Sequence, residues 1–168
     1  MMSMVVRPAE QAELHELAAL WHQAWHDAHA QIVPMELTCL RPIEHFRQRI
    51  GAALANTRVV GPVGAPLGLC LIKGAELYQL FVSQAARGTG VAAALIDEAE
   101  VRLARQGVET AWLACAIGNV RAARFYEKCG WRLVGTMVNA AETVSGEFLL
   151  EVWRYEKSLT CASKAQEN

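Results

Sequence analysis

The sequence from residue 77 to residue 92 reads LYQLFVSQAARGTGVA, and this stretch decides the fold. Leu77–Val82 has the composition of a strand, and it runs through a short turn into a helix start that contains Gly88 and Gly90. Such glycines let a ligand approach the backbone closely, and the unpaired N–H groups of a first helical turn point outward together. With the positive end of the helix dipole they predict an anion site suited to a pyrophosphate, and Arg87 at its mouth can add a charge-assisted contact.

A second motif follows about thirty residues later, where residues 119–131 read NVRAARFYEKCGW. Asn119 stands at a predicted helix start and Tyr126 seven residues further on, so both lie on one helical face. An amide there can hydrogen-bond an extended, amide-bearing ligand, and a phenol there can meet the reacting end. A glycine-rich turn alone is weak evidence, because dinucleotide folds and plain tight turns also contain one. The second motif makes the combination specific.

The rest of the chain supplies the elements of an α/β domain. Apolar residues recur at helical spacing near the N-terminus, and strand patterns begin at residue 58. The expected elements are, in order, a strand at Met4–Arg7, helices at Ala9–Ala28 and Ile43–Ala55 joined by an irregular link, strands at Arg58–Val60, Leu67–Ile72 and Leu77–Val82, a helix at Gly88–Gln106, a strand at Glu109–Ile117, a helix at Asn119–Lys128, and strands at Trp131–Val138 and Phe148–Tyr155. This βααβββαβαββ order predicts a central twisted mixed sheet flanked by helices. We expect one domain over residues 1–159 and a disordered tail over residues 160–168.

Composition argues against several classes of partner. A net charge of −1 with 20% charged residues provides no basic field for nucleic acid. No stretch approaches the ~20 apolar residues that span a bilayer, and the N-terminus lacks a secretory signal, so we expect a cytoplasmic protein without membrane contact. The five cysteines include no CxxC pair and no metal-ligand spacing, and we expect free thiols in a reducing compartment.

The two motifs resemble those of the GNAT superfamily of N-acetyltransferases. Arg87, Gly90 and Ala92 fill its R/Q-x-x-G-x-G/A signature, and Asn119–Trp131 resembles its second motif. The resemblance covers roughly Leu77–Leu133, and it implies acetyl-CoA as the donor, with the pantetheine arm lying beside a strand like an added strand. The donor site that it implies consists of Leu80, Phe81, Val82, Arg87, Gly88, Thr89, Gly90, Val91, Ala92, Asn119 and Tyr126.

The acceptor amine must lose a proton before it attacks. A lysine-like amine of pKa ~10.4 is about 99.9% protonated at pH 7, which adds about 4–5 kcal/mol to the barrier unless a base or a water path removes the proton. Glu76 resembles, by its offset from the signature, the glutamate base of histone-type members; it also fits a solvated acid, and other members pass the proton through water. Tyr126 resembles the tyrosine that protonates the departing CoA thiolate, with a buried core tyrosine as the alternative. The resemblance further implies direct transfer, with the oxyanion near a backbone N–H of Leu80–Val82.

Three histidines, His22, His26 and His29, recur at spacings of four and three on the first predicted helix. Such spacing can present two imidazoles to one metal ion, but no HExxH-like pattern accompanies them, and we predict no metal site. Trp25, His26 and His29 are candidate residues of the acceptor pocket, because first-helix residues often border that pocket in this family. The alternatives are satisfied or solvated histidines, and a core position for Trp25.

The expected function is acetyl transfer to a primary amine of a small metabolite, an antibiotic-like amine, or a protein terminus or lysine. The alternative is a regulatory module that binds CoA without turnover; it would tolerate the loss of Tyr126 and Glu76, and both are present. A dinucleotide-binding domain ranks last, because its glycine-rich turn follows the first strand. Many family members form homodimers, and Trp153 and Tyr155 on the last strand fit either a core position or a dimer contact.

Overall fold

The computed structural model describes residues 4–159, so the predicted tail at 160–168 and Cys161 lie outside the described residues. The elements, in chain order, are β1 (Val6–Pro8), α1 (Leu14–His29), α2 (Met35–Cys39), α3 (Ile43–Ala52), β2 (Thr57–Val60), β3 (Gly68–Lys73), β4 (Glu76–Val82), α4 (Val91–Arg105), β5 (Thr110–Ala116), α5 (Val120–Lys128), β6 (Arg132–Thr143) and β7 (Gly146–Ser158). The strands form one sheet in the order β1-β2-β3-β4-β5-β7-β6. The predicted mixed sheet flanked by helices is confirmed.

Helices cover both faces of the sheet. On one face α4 packs Leu95 and Leu103, both fully buried, in the same cluster as Leu113 of β5. On the other face α1 and α3 meet through Trp21 and Phe46, whose ring centroids lie 5.1 Å apart edge to face. Alternate residues of β3 join the two clusters, as expected for a strand buried on both sides. Each such buried side chain stabilises the fold by about 1.5–3 kcal/mol.

β4 and β5 form a parallel pair that meets at only one point within residues 4–159. Glu76 is paired with Trp112, and the Trp112 N–H donates to the carbonyl of Ala75 at 3.1 Å. By contrast, β5 pairs with β7 along its whole length. The two parallel strands therefore separate toward their C-terminal ends. The edge of β4 beyond Glu76 consequently carries backbone groups without a partner strand.

The first helix begins later than the sequence predicts, at Leu14 rather than Ala9. The cause is the side chain of Glu13, which is fully buried. Its carboxylate accepts the N–H of Glu10 at 2.9 Å and pairs with Arg7 at 2.6 Å, which tightens the preceding residues into a 3-10 turn. Reciprocal capping of this kind satisfies N–H groups that a helix start leaves unpaired.

The predicted irregular link between the first two helices contains a further short helix, α2. The carbonyl of Pro34 accepts the N–H of Leu37 at 3.0 Å, and the Thr38 hydroxyl donates to the carbonyl of Met35 at 2.7 Å. These are local hydrogen bonds, and they stabilise a turn too short to display an apolar period. The prediction of a wholly irregular link was therefore wrong.

The last two strands extend well beyond their predicted ends, with β6 reaching Thr143 instead of Val138. They pair residue by residue from the turn at Thr143, so each strand supplies the other's hydrogen bonds far from the core. Tyr155 is only 2% exposed, and Trp153 packs partly buried against the same cluster, so both occupy core positions in this chain. The homodimer stays a prediction.

The described residues bear on two sequence expectations, those on membrane-spanning helices and on cysteines. Within residues 4–159, no helix is long and apolar enough to cross a membrane. Among the described residues, four cysteines are free thiols: Cys70 and Cys115 are buried, Cys129 is partly buried and Cys39 is exposed.

Candidate active site

The glycine-rich turn between β4 and α4 presents several backbone N–H groups to one place. Gly88 and Gly90 have φ angles of 77° and 92°, which side chains disfavour, and Gly90 is the N-cap of α4. A Cβ added at either glycine would meet nothing within 4 Å, so open space adjoins the turn. Within residues 4–159, no hydrogen bond is donated by the backbone N–H groups of Gly88, Gly90, Val91, Ala92 and Ala93. Free donors at a helix start form an anion site.

A cavity of about 320 Å³, the turn cavity, opens beside this turn. Most of the predicted donor residues line it, namely Leu80, Phe81, Val82, Arg87, Gly88, Gly90, Val91, Ala92, Asn119 and Tyr126. Thr89 does not line it, because its hydroxyl donates to the carbonyl of Ala86. Arg121, which the sequence analysis did not assign, also lines the cavity, and its pKa is lowered by burial and by the positive charge of Arg87. Two guanidinium groups thus favour an anionic ligand in this cavity.

A second cavity of about 120 Å³, the sheet cavity, lies between the separated ends of β4 and β5. α1, the loop after α2, α5 and the hairpin of β6 and β7 complete its walls. Its polar side chains belong to His29, Arg41, Tyr78, Gln79, Asn119, Tyr126 and Asn139. Among the described residues, no Asp or Glu lines this cavity.

The turn cavity and the sheet cavity share one wall, to which Leu80, Phe81, Asn119, Ala122 and Tyr126 contribute. The Tyr126 ring packs against Phe125, Trp131 and Tyr155, with centroid distances of 5.6, 6.4 and 6.3 Å. Its hydroxyl has no hydrogen-bond partner among residues 4–159, and burial raises the pKa of the phenol above its ordinary value. The phenol therefore keeps its proton at neutral pH and is available to a ligand.

Asn119 is the N-cap of α5, as its place in the sequence predicts. Its side-chain oxygen accepts the N–H of Ala122 at 3.4 Å, and its own N–H donates to the carbonyl of Ala116 at 3.0 Å. The side-chain NH₂ group has no partner in the described part of the chain. Asn119 thus closes the helix start with one end of its amide and offers the donor end to the two cavities that it borders.

Glu76 lies at the point where β4 and β5 meet, and it lines neither cavity. Tyr78, two residues further along β4, does line the sheet cavity, and it lies where the pairing of β3 with β4 shifts register. The Glu76 side chain is 9% exposed and forms no ion pair or hydrogen bond within residues 4–159. Burial raises its pKa to about 7, against the opposing pull of Lys73 and Arg154. It is therefore a carboxyl group that changes ionisation near neutral pH.

The candidate residues of the first helix divide between two environments. Trp25 and His29 line the sheet cavity, and the Nδ1–H of His29 donates to the Trp25 carbonyl at 2.8 Å. Burial lowers the pKa of His29 to about 4, so its ring is neutral at pH 7, with Nε2 as an acceptor. His26 lines neither cavity; its Nδ1–H donates to the carbonyl of His22 at 2.8 Å. Within residues 4–159, no group of three His, Cys, Asp or Glu side chains could hold a metal ion.

Four polar side chains of the sheet cavity were not predicted from the sequence as site residues, namely those of Arg41, Tyr78, Gln79 and Asn139. Arg41 reaches the cavity from the loop after α2, and its Nε donates to the carbonyl of Glu142 at 3.0 Å. The Tyr78 hydroxyl accepts from Nη2 of Arg49 at 2.7 Å. These contacts join distant parts of the chain, and no local pattern marks them.

Comparisons with known proteins agree with the two motifs. The model of the acetyltransferase (GNAT) family matches residues 11–131. An uncharacterized N-acetyltransferase of Mycobacterium tuberculosis is 33% identical over 114 residues, which are 64% of this chain and 69% of that relative.

Two solved structures illustrate the shared fold. A GCN5-related N-acetyltransferase from Rhodopseudomonas palustris has a TM-score of 0.72 at 21% identity, with 94% of this chain and 97% of that chain covered. The PaiA N-acetyltransferase from Thermoplasma acidophilum, solved in complex with coenzyme A, has a TM-score of 0.68 at 18% identity, with 94% and 99% covered. Because the family model spans both motifs and most of the chain, this protein belongs to the acetyltransferase (GNAT) family and is an acyl-CoA N-acyltransferase.

Proposed function

We propose that this enzyme transfers an acetyl group from acetyl-CoA to a primary amine by direct attack in a ternary complex. The observation that carries the proposal is the shared wall of the two cavities. A thioester in the turn cavity and an amine in the sheet cavity would meet beside the Tyr126 hydroxyl, which has no other partner in the described residues. Holding two reactants in contact removes much of the entropic barrier of a bimolecular reaction.

Acetyl-CoA suits the turn cavity in charge and in shape. Its pyrophosphate would accept hydrogen bonds from the free N–H groups of the turn, with Arg87 and Arg121 adding positive charge. Its pantetheine arm carries amides that can pair with the unpartnered edge of β4, as an added strand does. The coenzyme A bound in the Thermoplasma relative supports the same donor for this chain.

The reaction needs one proton removed and one delivered. The neutral amine attacks the thioester carbonyl carbon, and a backbone N–H of Leu80–Val82 stabilises the oxyanion of the tetrahedral intermediate. The intermediate collapses by breaking the C–S bond, and the Tyr126 hydroxyl gives its proton to the departing thiolate. Attack leaves the nitrogen with an extra proton, which passes to a base. The products are the N-acetylated amine and CoA.

Glu76 is the base that we propose, acting through water because it lines neither cavity. With its pKa raised to about 7, it is partly ionised at neutral pH and can both take up and release a proton there. The neutral ring of His29 lines the sheet cavity itself, but a pKa of about 4 makes it a much weaker base. Glu76 is accordingly the stronger candidate of the two.

A covalent route through cysteine is disfavoured by the state of the nearby thiol. Cys115 is the cysteine that lines the sheet cavity, and burial raises its pKa to about 12. Because the thiolate is the nucleophilic form, almost none of Cys115 can attack a thioester at neutral pH. A stable acyl-enzyme formed from acetyl-CoA without an amine would contradict direct transfer.

The alternative function, CoA binding without turnover, gains no support from this arrangement. A binding module has no need of a second cavity that meets the first at an unpartnered phenol. We also propose that residues 1–159 act as a single catalytic domain, since one sheet runs from β1 to β6 through all seven strands.

The proposal is tested first by ligand binding and then by turnover. Acetyl-CoA or CoA at about 100-fold over its dissociation constant should add about 2.7 kcal/mol of stability and raise the unfolding midpoint by roughly 5–10 °C, whereas NAD should not. Mass spectrometry of the amine and thiol release from acetyl-CoA should then report transfer. Absence of a shift with either CoA ligand would refute the donor site; a shift without turnover on any amine would favour the regulatory alternative.

A further inference from the structure

We propose that the acceptor of this enzyme carries a carboxylate beside its amine, as a small amino acid does, and that Arg41 and Tyr78 bind that carboxylate in the sheet cavity. The inference rests on the proposed function and defines its substrate class. It follows from the hydrogen bonds, the burial and the charges of the sheet cavity.

Arg41 is fixed in position by its contacts, and its guanidinium forms no ion pair within the described residues. Its side chain is 5% exposed, its Nε donates to the Glu142 carbonyl at 3.0 Å, and its guanidinium lies 4.8 Å over the ring of Trp25. Neither of its Nη nitrogens has a hydrogen-bond partner among residues 4–159, and no carboxylate lies within 4.0 Å. The guanidinium therefore keeps two NH₂ groups for a ligand in the cavity that it lines.

A buried guanidinium without an ion pair is stabilised when a ligand brings a negative charge. Burial, and next the positive charge of Arg49, lower the pKa of Arg41 to about 10, so Arg41 is still a cation at neutral pH. A buried charge without an ion-pair partner is strongly unfavourable. The Glu142 carboxylate acts on Arg41 only from beyond ion-pair distance, because it is paired with Arg49. Arg49 shows the contrast, since its Nε pairs with the Glu142 carboxylate at 3.1 Å. A carboxylate matches the planar fork of Arg41 and would supply the missing charge.

Tyr78 adds a second donor to the same cavity. Its oxygen accepts from Nη2 of Arg49 at 2.7 Å, which leaves the hydroxyl hydrogen free to point at a ligand. The Tyr78 hydroxyl forms no other hydrogen bond in the described part of the chain. The two oxygens of a ligand carboxylate could thus accept hydrogen bonds from the NH₂ groups of Arg41 and one more from the Tyr78 hydroxyl.

The remaining walls argue against other amines. A polyamine or an aminoglycoside brings several positive charges, but no Asp or Glu among the described residues lines the sheet cavity, and Arg41 would repel such a ligand. The cavity measures about 120 Å³, whereas a protein cavity of about 150 Å³ holds one benzene molecule. The space therefore suits a compact molecule with one amine and one carboxylate.

The test compares matched ligands on the full chain saturated with CoA, so that it does not depend on turnover. Glycine, L-alanine, L-leucine, β-alanine and 4-aminobutyrate are titrated by calorimetry, each beside its decarboxylated amine and its carboxamide. We expect at least one amino acid to bind about 10- to 100-fold more tightly than its two neutral-ended analogues, the range for a charged hydrogen-bonded pair. Equal binding within every set, or no binding by any amino acid, would overturn the inference.

Three variants assign the effect to the guanidinium. Arg41→Gln should abolish the preference for the carboxylate, and Arg41→Lys should keep only part of it, because lysine has the charge without the fork. Arg47→Gln is the matched control, since Arg47 is an exposed residue paired with Glu44. Each variant must retain the thermal shift with CoA. A preference that survives in Arg41→Gln would overturn the assignment, and if that variant fails to fold, the wild-type comparison and Arg41→Lys decide.

One further ligand separates two anions. Aminoethylphosphonate replaces β-alanine with the same amine and a phosphonate, and tighter binding of the phosphonate would overturn the choice of carboxylate. Failure of the proposed function has a different signature: absence of the CoA shift, or carboxylate-dependent binding of an amino acid that is never acetylated.

Discussion

Replacing Glu76 with Gln tests whether a buried carboxyl group at the junction of β4 and β5 titrates near pH 7. The side chain is 9% exposed and unpaired within the described residues. Burial raises its pKa from 4.5 to about 7; Lys73 and Arg154 oppose the rise, and Glu142 adds to it. A rise of this size corresponds to about 3 kcal/mol of preference for the neutral form in the folded protein.

The sign of the pH effect depends on whether the folded or the unfolded protein holds the Glu76 proton more tightly. The folded protein does, so the contribution of Glu76 to stability is fully present below pH 4.5 and is lost as the pH rises through 7. Gln cannot ionise, and Glu76→Gln escapes this loss. The free energy of unfolding of Glu76→Gln minus that of the wild type should therefore increase by about 3 kcal/mol between pH 4.5 and pH 8.5.

Urea unfolding at pH steps from 4.5 to 8.5 measures this difference directly. Glu151→Gln is the control, because Glu151 lies exposed on β7, and its difference from the wild type should not change with pH in this way. A difference for Glu76→Gln that stays constant across the range would refute the argument from burial, whatever its absolute size.

The same variant also tests the role of Glu76 as a base. If Glu76 receives the amine proton, kcat/KM of the wild type should fall below about pH 7 as Glu76 becomes protonated, and this acid limb should disappear in Glu76→Gln. An unchanged limb together with the expected unfolding result would leave Glu76 a buried acid and assign the proton to another group. Unfolding thus tests the raised pKa of Glu76, and the pH-rate profile tests its role as a base.

Three further substitutions test the shared wall, the turn and the packing of β3 against its neighbours. Tyr126→Phe removes a hydroxyl without a partner in the described residues, so kcat should fall by ~10²–10⁴ while the thermal shift with acetyl-CoA is kept; full turnover would remove the phenol from the mechanism. Gly90→Ala places a side chain at φ 92°, which should cost about 1–3 kcal/mol and weaken acetyl-CoA binding in calorimetry, and unaltered affinity would argue against the turn as the anion site. Gly68→Ala puts a Cβ 2.7 Å from Cγ1 of Val91 in α4 and 3.2 Å from the Phe81 carbonyl in β4. Urea unfolding should therefore show a loss of about 1–3 kcal/mol in the free energy of unfolding. Wild-type stability would mean that β3 and α4 can move apart without cost.

Sequence alone predicted the elements whose conformation is set locally. Gly88 and Gly90 sit where the chain needs positive φ, and Asn119 caps α5 through its own side chain. Strand β4 and helix α4 differ in period, so their boundary at the turn is visible in the pattern of apolar residues. These local signals are also the ones that carry the family resemblance, and the family is confirmed.

Sequence reasoning missed two kinds of feature: elements without a clear apolar period, and side chains positioned by contacts between distant residues. The length of β6 comes from its pairing with β7, and α2 is held by short-range hydrogen bonds without an apolar stripe. Arg41 is fixed by a carbonyl 101 residues away, and Tyr78 is oriented by Arg49, 29 residues away. Contacts between residues so far apart in the chain produce no recognisable pattern in the sequence.

Net charge is the quantity that says least about this site. The chain carries 16 Lys and Arg residues and 17 Asp and Glu residues, whose charges sum to −1 and mark no face as positive. Yet Arg87 and Arg121 line the turn cavity, Arg41 lines the sheet cavity, and no described acid lines either one. Glu142, whose backbone carbonyl accepts from Arg41, pairs its carboxylate with Arg49 instead. We expect electrostatic selection by this enzyme to depend on these few charges that line the cavities. A buried charge interacts strongly with a nearby ligand at low dielectric, whereas the many solvated charges are screened.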